Sequence, residues 1–496
     1  MDKDLESIQE VRKLCERSLT AQAILAEFSQ EKIDSIVASM KDICMENAEV
    51  LAQEAINETK LGILKDKVTK NRFAADNVFE SIKGMKTVGI IKEYPEKKVY
   101  EIAEPMGPIA GIVPMTNPTS TVIFKSLIAV KARNTIVFAP HPRAVQCSMK
   151  TVDLINNAAI KAGAPDNCVQ CISTVTMEGT NELMKNRNIG LILATGGSAM
   201  VKAAYSSGKP AIGVGPGNVP VFLDRSCNIE DAISKIVLSK SFDNGTVCSS
   251  EQAIICDEKI DQEVEGELKR NGCYFMNEQE SRNVGKVLFT YQRLPDPELV
   301  GKPARSIAER AGISIPEGTK ILIAKLDEVG EEYPLSGEKI SPVLAYYVSD
   351  GWQNGCKRCI EILKYGGIGH TLIIHAKDED IIREFAMKKP AFRILVNAPG
   401  THGAIGFSTG LSPSLTLGCG TWGGGITSDN ISPLHLINIK RLAYNLLEDM
   451  GIQKVSGEES EPGQEKDTST DELSDERIEK IIEEFLDFRR RKGSSF

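Results

Sequence analysis

Residues 109–139, IAGIVPMTNPTSTVIFKSLIAVKARNTIVFA, decide the fold. Ile109-Ala110-Gly111-Ile112-Val113 is short and apolar throughout, as a strand buried on both faces must be, and the polar, proline-flanked run Pro114–Pro118 ends it. Thr119 to Arg133 then carries a helical pattern, and Thr135-Ile136-Val137-Phe138-Ala139 returns to a strand. A strand, a helix and a second strand at this spacing form a βαβ unit, hence a parallel sheet covered on both faces. The alternation continues with a helix over Ala144–Ala162, a strand over Gly190–Ala194 and a helix start at Ala199–Ala204. Ligands of such sheets bind beyond the carboxyl ends of the strands, where Pro114–Asn117 and Thr195-Gly196-Gly197 lie.

Upstream, Leu5 to about Lys83 has helical spacing, as in Ile33, Ile36, Met40 and Ile43, and contains no proline. Val88–Ile91 and Val99–Ala103 flank the turn-forming Tyr94-Pro95-Glu96-Lys97, a hairpin outside the alternating pattern that suits pairing with another subunit. Downstream, a second α/β region holds strand-like Ala253–Cys256, Lys320–Ile323, Val343–Tyr347, Thr371–Ile374 and Arg393–Val396. The expected class is α/β, with a cofactor-binding domain over 1–222 (hairpin 88–104 serving oligomerisation), a catalytic domain over 223–425 and an oligomerisation segment over 426–448. A two-substrate site is expected in the cleft between the large domains.

The chain has 496 residues, 41% of them hydrophobic, more than one core usually supports. A net charge of −9 argues against a nucleic-acid surface. The acidic start Met1-Asp2-Lys3-Asp4 carries no secretory signal, no apolar run is long enough to span a membrane, and twelve scattered cysteines suit a reducing compartment, so a cytoplasmic location is expected. Residues 456–476 hold nine acidic residues and one lysine with almost nothing apolar, so 449–474 reads as a disordered linker. Ile478, Ile481, Ile482, Phe485 and Leu486 then form one stripe of an amphipathic helix over 475–492. Its apolar face suits docking to a partner, and packing on its own enzyme is an equal alternative.

Cys248 stands in Asp243-Asn244-Gly245-Thr246-Val247-Cys248-Ser249-Ser250-Glu251-Gln252, a small and polar setting that describes a tight turn. A thiol attacks as thiolate from an accessible backbone, and this is where the chain offers one. On spacing alone, a buried filler cysteine is the better reading. The run as a whole, however, resembles the nucleophile segment of the aldehyde dehydrogenase superfamily, in its coenzyme A-acylating branch. Further matching segments are Glu104–Pro108, Pro114–Ser120, Ala194–Gly197, Tyr205–Pro210, Gly213–Asn218 and Leu415–Gly420, and their order makes the resemblance specific over roughly residues 1–445.

The resemblance implies that Cys248 attacks an aldehyde, that hydride leaves to a nicotinamide, and that an acyl thioester stays on the enzyme. It implies an oxyanion held by the Asn117 amide and the Cys248 N–H. Hydrolytic members carry a general-base glutamate where this chain reads Gly213-Val214-Gly215-Pro216-Gly217-Asn218, so a pocket with no carboxylate to activate solvent is expected. Release by a thiol, coenzyme A as co-substrate, is then favoured over water, because a thiol is partly ionised at neutral pH.

The resemblance further assigns cofactor contacts to Thr195, Gly196, Gly197, Gly215, Pro140 and Glu338. Ala139 and Pro142 stand where many relatives have lysine and glutamate for the adenosine ribose, which leaves NAD against NADP open; NAD is expected because no arginine obviously faces a 2′-phosphate, although Arg143 is close enough to matter. His370 matches a histidine of acylating relatives near the incoming thiol, although a structural histidine is the commoner case. The pairs Cys168/Cys171 and Cys356/Cys359 are expected to be reduced structural thiols, not a metal site. A homodimer or dimer of dimers is implied, and the segment 475–492 resembles peptides that recruit enzymes to bacterial microcompartment shells. A hydrolytic dehydrogenase and a catalytically dead cargo or scaffold protein are the rival readings.

Overall fold

The opening helices, Lys3–Leu25, Gln30–Glu46, Ala48–Thr59 and Leu64–Arg72, are followed by a π-type turn, Phe73–Asn77, and by Val78–Ile82. Ser29 caps the second helix by accepting from the Lys32 N–H, and the stripe Ile33, Ile36, Val37, Met40, Cys44 is buried. That stripe packs on the helices Pro118–Lys131 and Val145–Lys161 in the largest apolar core. The computed structural model describes residues 2–446. It distinguishes two units, Met1–Ala443 and Tyr444–Phe496, and the expectations for 449–474 and 475–492 lie outside the described residues.

Strands β1 (Gly89–Tyr94) and β2 (Val99–Pro105) form the expected hairpin. Next, β3 (Ile109–Val113), β4 (Ile136–Pro140), β5 (Val169–Cys171), β6 (Leu191–Thr195) and β7 (Ala211–Val214) form an all-parallel sheet in the order β5-β4-β3-β6-β7. A second parallel sheet contains β8 (Val219–Leu223), β9 (Glu251–Asp257), β10 (Cys273–Met276), β11 (Ile321–Lys325), β12 (Val343–Ser349), β13 (Gly369–His375) and β14 (Ala391–Val396). Its order is β10-β11-β12-β9-β8-β13-β14. The chain therefore changes sheet between Val214 and Val219, ahead of the expected boundary at 222, and β8 belongs to the second sheet. Finally β15 (Ile437–Ala443) pairs antiparallel with β2, where Arg441 and Lys440 face Glu101 and Glu104, and leaves Ile439 and Leu442 exposed. Among the described residues no helix is long and apolar enough to cross a membrane.

All fourteen residues of Pro118–Lys131 are buried, since the sheet covers one side and the opening helices the other. Two lysines in it are therefore costly unless paired. Lys131 reaches Asp34 (2.5 Å). Lys125 has no acid: its Nζ donates to the carbonyls of Ile112 (2.7 Å) and Leu193 (2.8 Å), near the ends of β3 and β6. Two acceptors match the two N–H groups of a neutral amine. Burial pushes the Lys125 ammonium down from 10.5 to about 7. Between those two values the unfolded chain holds a proton that the folded chain lacks, so stability rises with pH across the window. Thermal unfolding followed by circular dichroism at pH 7 and pH 9 should show the melting temperature of Lys125→Met gaining less than wild type by roughly 2–4 °C. Equal gains in the two proteins would show that Lys125 is charged in the fold.

Candidate active site

The loop that carries Cys248 joins the helix Ile229–Ser241 to β9. Asp243 (φ 49), Asn244 (φ 54) and Gly245 (φ 72) take the left-handed conformation in succession, which Asn, Asp and Gly tolerate best. The strain is held by specific partners: the Asp243 N–H donates to Asp66 (2.7 Å) and the Asn244 amide to the Gly301 carbonyl (2.9 Å). Cys248 emerges half-buried, bordering a cavity of about 460 Å³. Burial pushes its thiol up to about 12, the Glu338 charge and Cys419 add to this, and Arg393 opposes it. Because the residue is only half-buried, solvent in the cavity weakens that push. Its own backbone N–H lies against the sulfur and favours the thiolate.

Asp243 is fully buried and receives two ammonium groups, Lys67 Nζ at 3.1 Å and Lys70 Nζ at 2.5 Å. Burial alone would raise its carboxyl; the two lysines more than offset this and hold it below the ordinary range. Burial in turn lowers Lys70 to about 8 against the pull of Asp243. The other carboxylate oxygen accepts from the Ile63 N–H (2.7 Å). Gly62 has φ +81, and a Cβ there would stand 2.0 Å from Asp243 Oδ1, so only glycine fits. Lys70 also donates to Asn117 Oδ1 (2.5 Å) and Thr246 Oγ1 (3.0 Å). Asn117 directs its NH2 to Thr116 Oγ1 (3.1 Å) and marginally to the Thr246 carbonyl (3.5 Å).

The cavity is bordered by the carboxyl ends of β3, β4 and β6 and by the segments leading into β8, β9 and β12. Asn117, Pro140, Thr195, Gly196, Gly197, Gly215, Glu338 and Cys248 all line it. Thr195 Oγ1 is buried without a partner, and Gly197 precedes the helix Ser198–Tyr205, so unspent donors there suit an anion. These residues fit a dinucleotide. Gly213 lies against Val201 and Tyr205: a Cβ on it would stand 2.7 Å from Val201 Cγ1. The Tyr205 hydroxyl accepts from the Gly213 N–H (3.0 Å) and donates to its carbonyl (3.1 Å).

Two expectations change. The cavity does contain a carboxylate, because Glu338 lines it, partly buried, with Oε1 accepting from the Gly217 N–H (2.8 Å). Burial pushes Glu338 up to about 7, with that N–H and Lys240 opposing. His370 does not border the cavity. It is fully buried behind Gly217, where a Cβ would stand 3.2 Å from the imidazole and 2.3 Å from the Cys248 carbonyl. Its Nδ1 meets Thr371 Oγ1 (2.9 Å), its Nε2 has no partner, and burial holds the ring down to about 3.

Sequence reasoning missed Lys67, Lys70 and the wall of the cavity's apolar end. Phe242 packs on His402 (4.7 Å), His402 on Phe407 (5.5 Å), and Phe407 edge-on to Phe73 (5.5 Å). The π-type turn carries Phe73 into this wall.

Known proteins resemble this chain in sequence and fold. The aldehyde dehydrogenase family matches residues 5–272. Aldehyde-alcohol dehydrogenase 2 of Entamoeba histolytica is 45% identical over 426 residues, 84% of this chain but 49% of that protein. The chain thus spans about half the length of such curated relatives. An acetylating aldehyde dehydrogenase from Geobacillus thermoglucosidasius superposes with a TM-score of 0.89 at 51% identity, covering 90% of this chain and 98% of that one. A Rhodopseudomonas palustris propionaldehyde dehydrogenase, solved with bound propionyl-CoA, gives a TM-score of 0.79 at 29% identity, covering 88% and 94%. Since the family match takes in more than half of the residues and the fold agreement extends along nearly the whole of both solved relatives, this chain belongs to the aldehyde dehydrogenase family.

Proposed function

We propose that the protein oxidises an aldehyde to its coenzyme A thioester, with reduction of a nicotinamide dinucleotide, through an acyl-enzyme on Cys248. The observation that carries this is Gly213: it stands in the segment where hydrolytic members bear their base, and Val201 and Tyr205 leave no room for a side chain there. The names of the acetylating and propionyl-CoA-bound relatives support the same outcome.

In this reading the Cys248 thiolate adds to the aldehyde carbonyl, and the alkoxide that forms is held by the Cys248 N–H and the Asn117 NH2. Thr195, Gly196, Gly197 and Gly215 would hold the dinucleotide, with Pro140 on the adenosine side and Glu338 on the nicotinamide ribose side; bound there, the oxidised ring would supply the hydride acceptor. Loss of hydride leaves an acyl thioester on Cys248. Attack by the coenzyme A thiolate expels Cys248 and releases the acyl-coenzyme A. His370, buried behind Gly217 with its ring held down to about 3, is too weak a base to take the thiol proton, and it is read as packing behind the incoming thiol, which arrives partly ionised at neutral pH.

NAD is read as the preferred dinucleotide. Arg143, the candidate for a 2′-phosphate, is paired with Glu298 (3.0 Å). The Glu58 carboxylate already takes the N–H groups of Gln146 and Cys147 (2.9 and 2.8 Å) at the start of the helix after β4. A negative charge there opposes a further phosphate. One observation favours the hydrolytic rival: Glu338, a carboxyl at about 7 in the same cavity, is suited to taking a proton from water.

Mass spectrometry of products over a panel of small aldehydes should find acyl-coenzyme A, with turnover dependent on coenzyme A. Cys248→Ala should lower kcat/KM by roughly 10⁴-fold or more. Free acid formed equally with and without coenzyme A would assign the hydrolytic reading instead. Because its charge raises the Cys248 thiol, Glu338→Gln should lower that pKa and speed alkylation of Cys248 by iodoacetamide at pH 7, while raising KM for the dinucleotide; slower alkylation would mean that Glu338 deprotonates Cys248. Steady-state kinetics should give a KM for NADP at least about tenfold above that for NAD, one decade being about 1.4 kcal/mol.

A further inference from the structure

Resting on that reading, we propose that Lys70 is a positioning residue for the reaction: it fixes the Asn117 amide so that NH2, not the carbonyl oxygen, is presented to the developing alkoxide. An asparagine side chain is nearly symmetric in shape, and nothing steric distinguishes its two orientations. Charge distinguishes them here. The Lys70 ammonium has donors only, and it spends them on Asn117 Oδ1 (2.5 Å), Asp243 Oδ2 (2.5 Å) and Thr246 Oγ1 (3.0 Å). Turning the Asn117 amide over would set NH2 against NH3⁺ and leave one N–H of the ammonium without an acceptor, in a site where Lys70 is buried.

The amide is free for this duty. Asn117 precedes Pro118 at the start of its helix, yet its side chain makes no capping bond to that helix. Of its two N–H groups, one goes to Thr116 Oγ1 (3.1 Å) and the other has only the marginal 3.5 Å contact with the Thr246 carbonyl. An amide whose oxygen accepts from a cation is also polarised, which strengthens its N–H groups as donors. Lys70 cannot swing away. Asp243 anchors it, the Thr246 hydroxyl bonds both of them, and Lys67 holds the same carboxylate oxygen (3.1 Å). Thr246 and Asp243 belong to the loop that carries Cys248, so one ammonium group registers the oxyanion donor against the nucleophile.

A double-mutant cycle with Asn117 tests this. Lys70→Met should lower kcat by on the order of 10²-fold, the scale of losing one oxyanion donor, with the KM for NAD within about twofold of wild type. In an Asn117→Ala background the same change should have little further effect, because the group it acts through is gone. If Lys70→Met does not fold, the pair Lys70→Met/Asp243→Asn, which leaves no carboxylate facing an apolar side chain, takes its place against Asp243→Asn alone. A full additional loss in the Asn117→Ala background, or unchanged kcat in Lys70→Met, would overturn the proposal. Failure of the acyl-transfer reading would show separately, as wild-type enzyme that makes no acyl-coenzyme A.

Discussion

A buried carboxylate between two buried ammonium groups is the constraint on which the site depends. Asp243 lies in the loop that carries Cys248; Lys67 and Lys70 lie on an N-terminal helix more than 170 residues earlier in the chain. Charges taken out of water tolerate little displacement, since removing one partner of such a pair typically costs about 3–5 kcal/mol. The cluster therefore acts as a gauge for distance. It holds three successive left-handed residues in place, forces glycine at position 62, and brings Asn117 to the rim that also carries Cys248.

The two parallel sheets meet the cavity with opposite ends. The first presents carboxyl ends, where helix starts such as Ser198 leave N–H groups suited to an anion. The second presents the segments entering β8, β9 and β12, and these bring Gly215, Cys248 and Glu338. The division has an electrostatic consequence. Burial shifts both Glu338 and Cys248 upward, and the Glu338 charge adds to the push on the Cys248 thiol.

What could be read in the sequence follows from which forces are local. The buried strands β3, β4, β6, β12 and β13 announce themselves as apolar runs between turn residues, and the opening helices as an apolar stripe. The short strands β5 and β10, three and four residues long, give too few positions for a pattern, and β8 contains Pro220. The turn at Asp243–Gly245 was visible because Asp, Asn and Gly tolerate left-handed backbone. Lys67 and Lys70 were not. On a helix of low hydrophobicity they resemble a solvated face, and only the loop delivered by tertiary packing turns them inward. Glu338 was found through resemblance, but its raised pKa comes from burial by tertiary packing, which the Gly217 N–H, Lys240 and Lys339 only partly offset. His370 shows the reverse: the motif marks the residue, while packing sets it behind the wall.

The grip of Tyr205 on both backbone groups of Gly213 bears on how chemistry diverges in this family. Placing an acid at 213 would require Val201 to shrink and Tyr205 to release its hold at the same time, and each of those changes alone would loosen the packing around β7 without any gain. Under the proposed reading, the route from thiolysis to hydrolysis is thus epistatic, a valley several substitutions wide, and lineages on either side of it are expected to keep their acceptor while their aldehyde preferences drift freely.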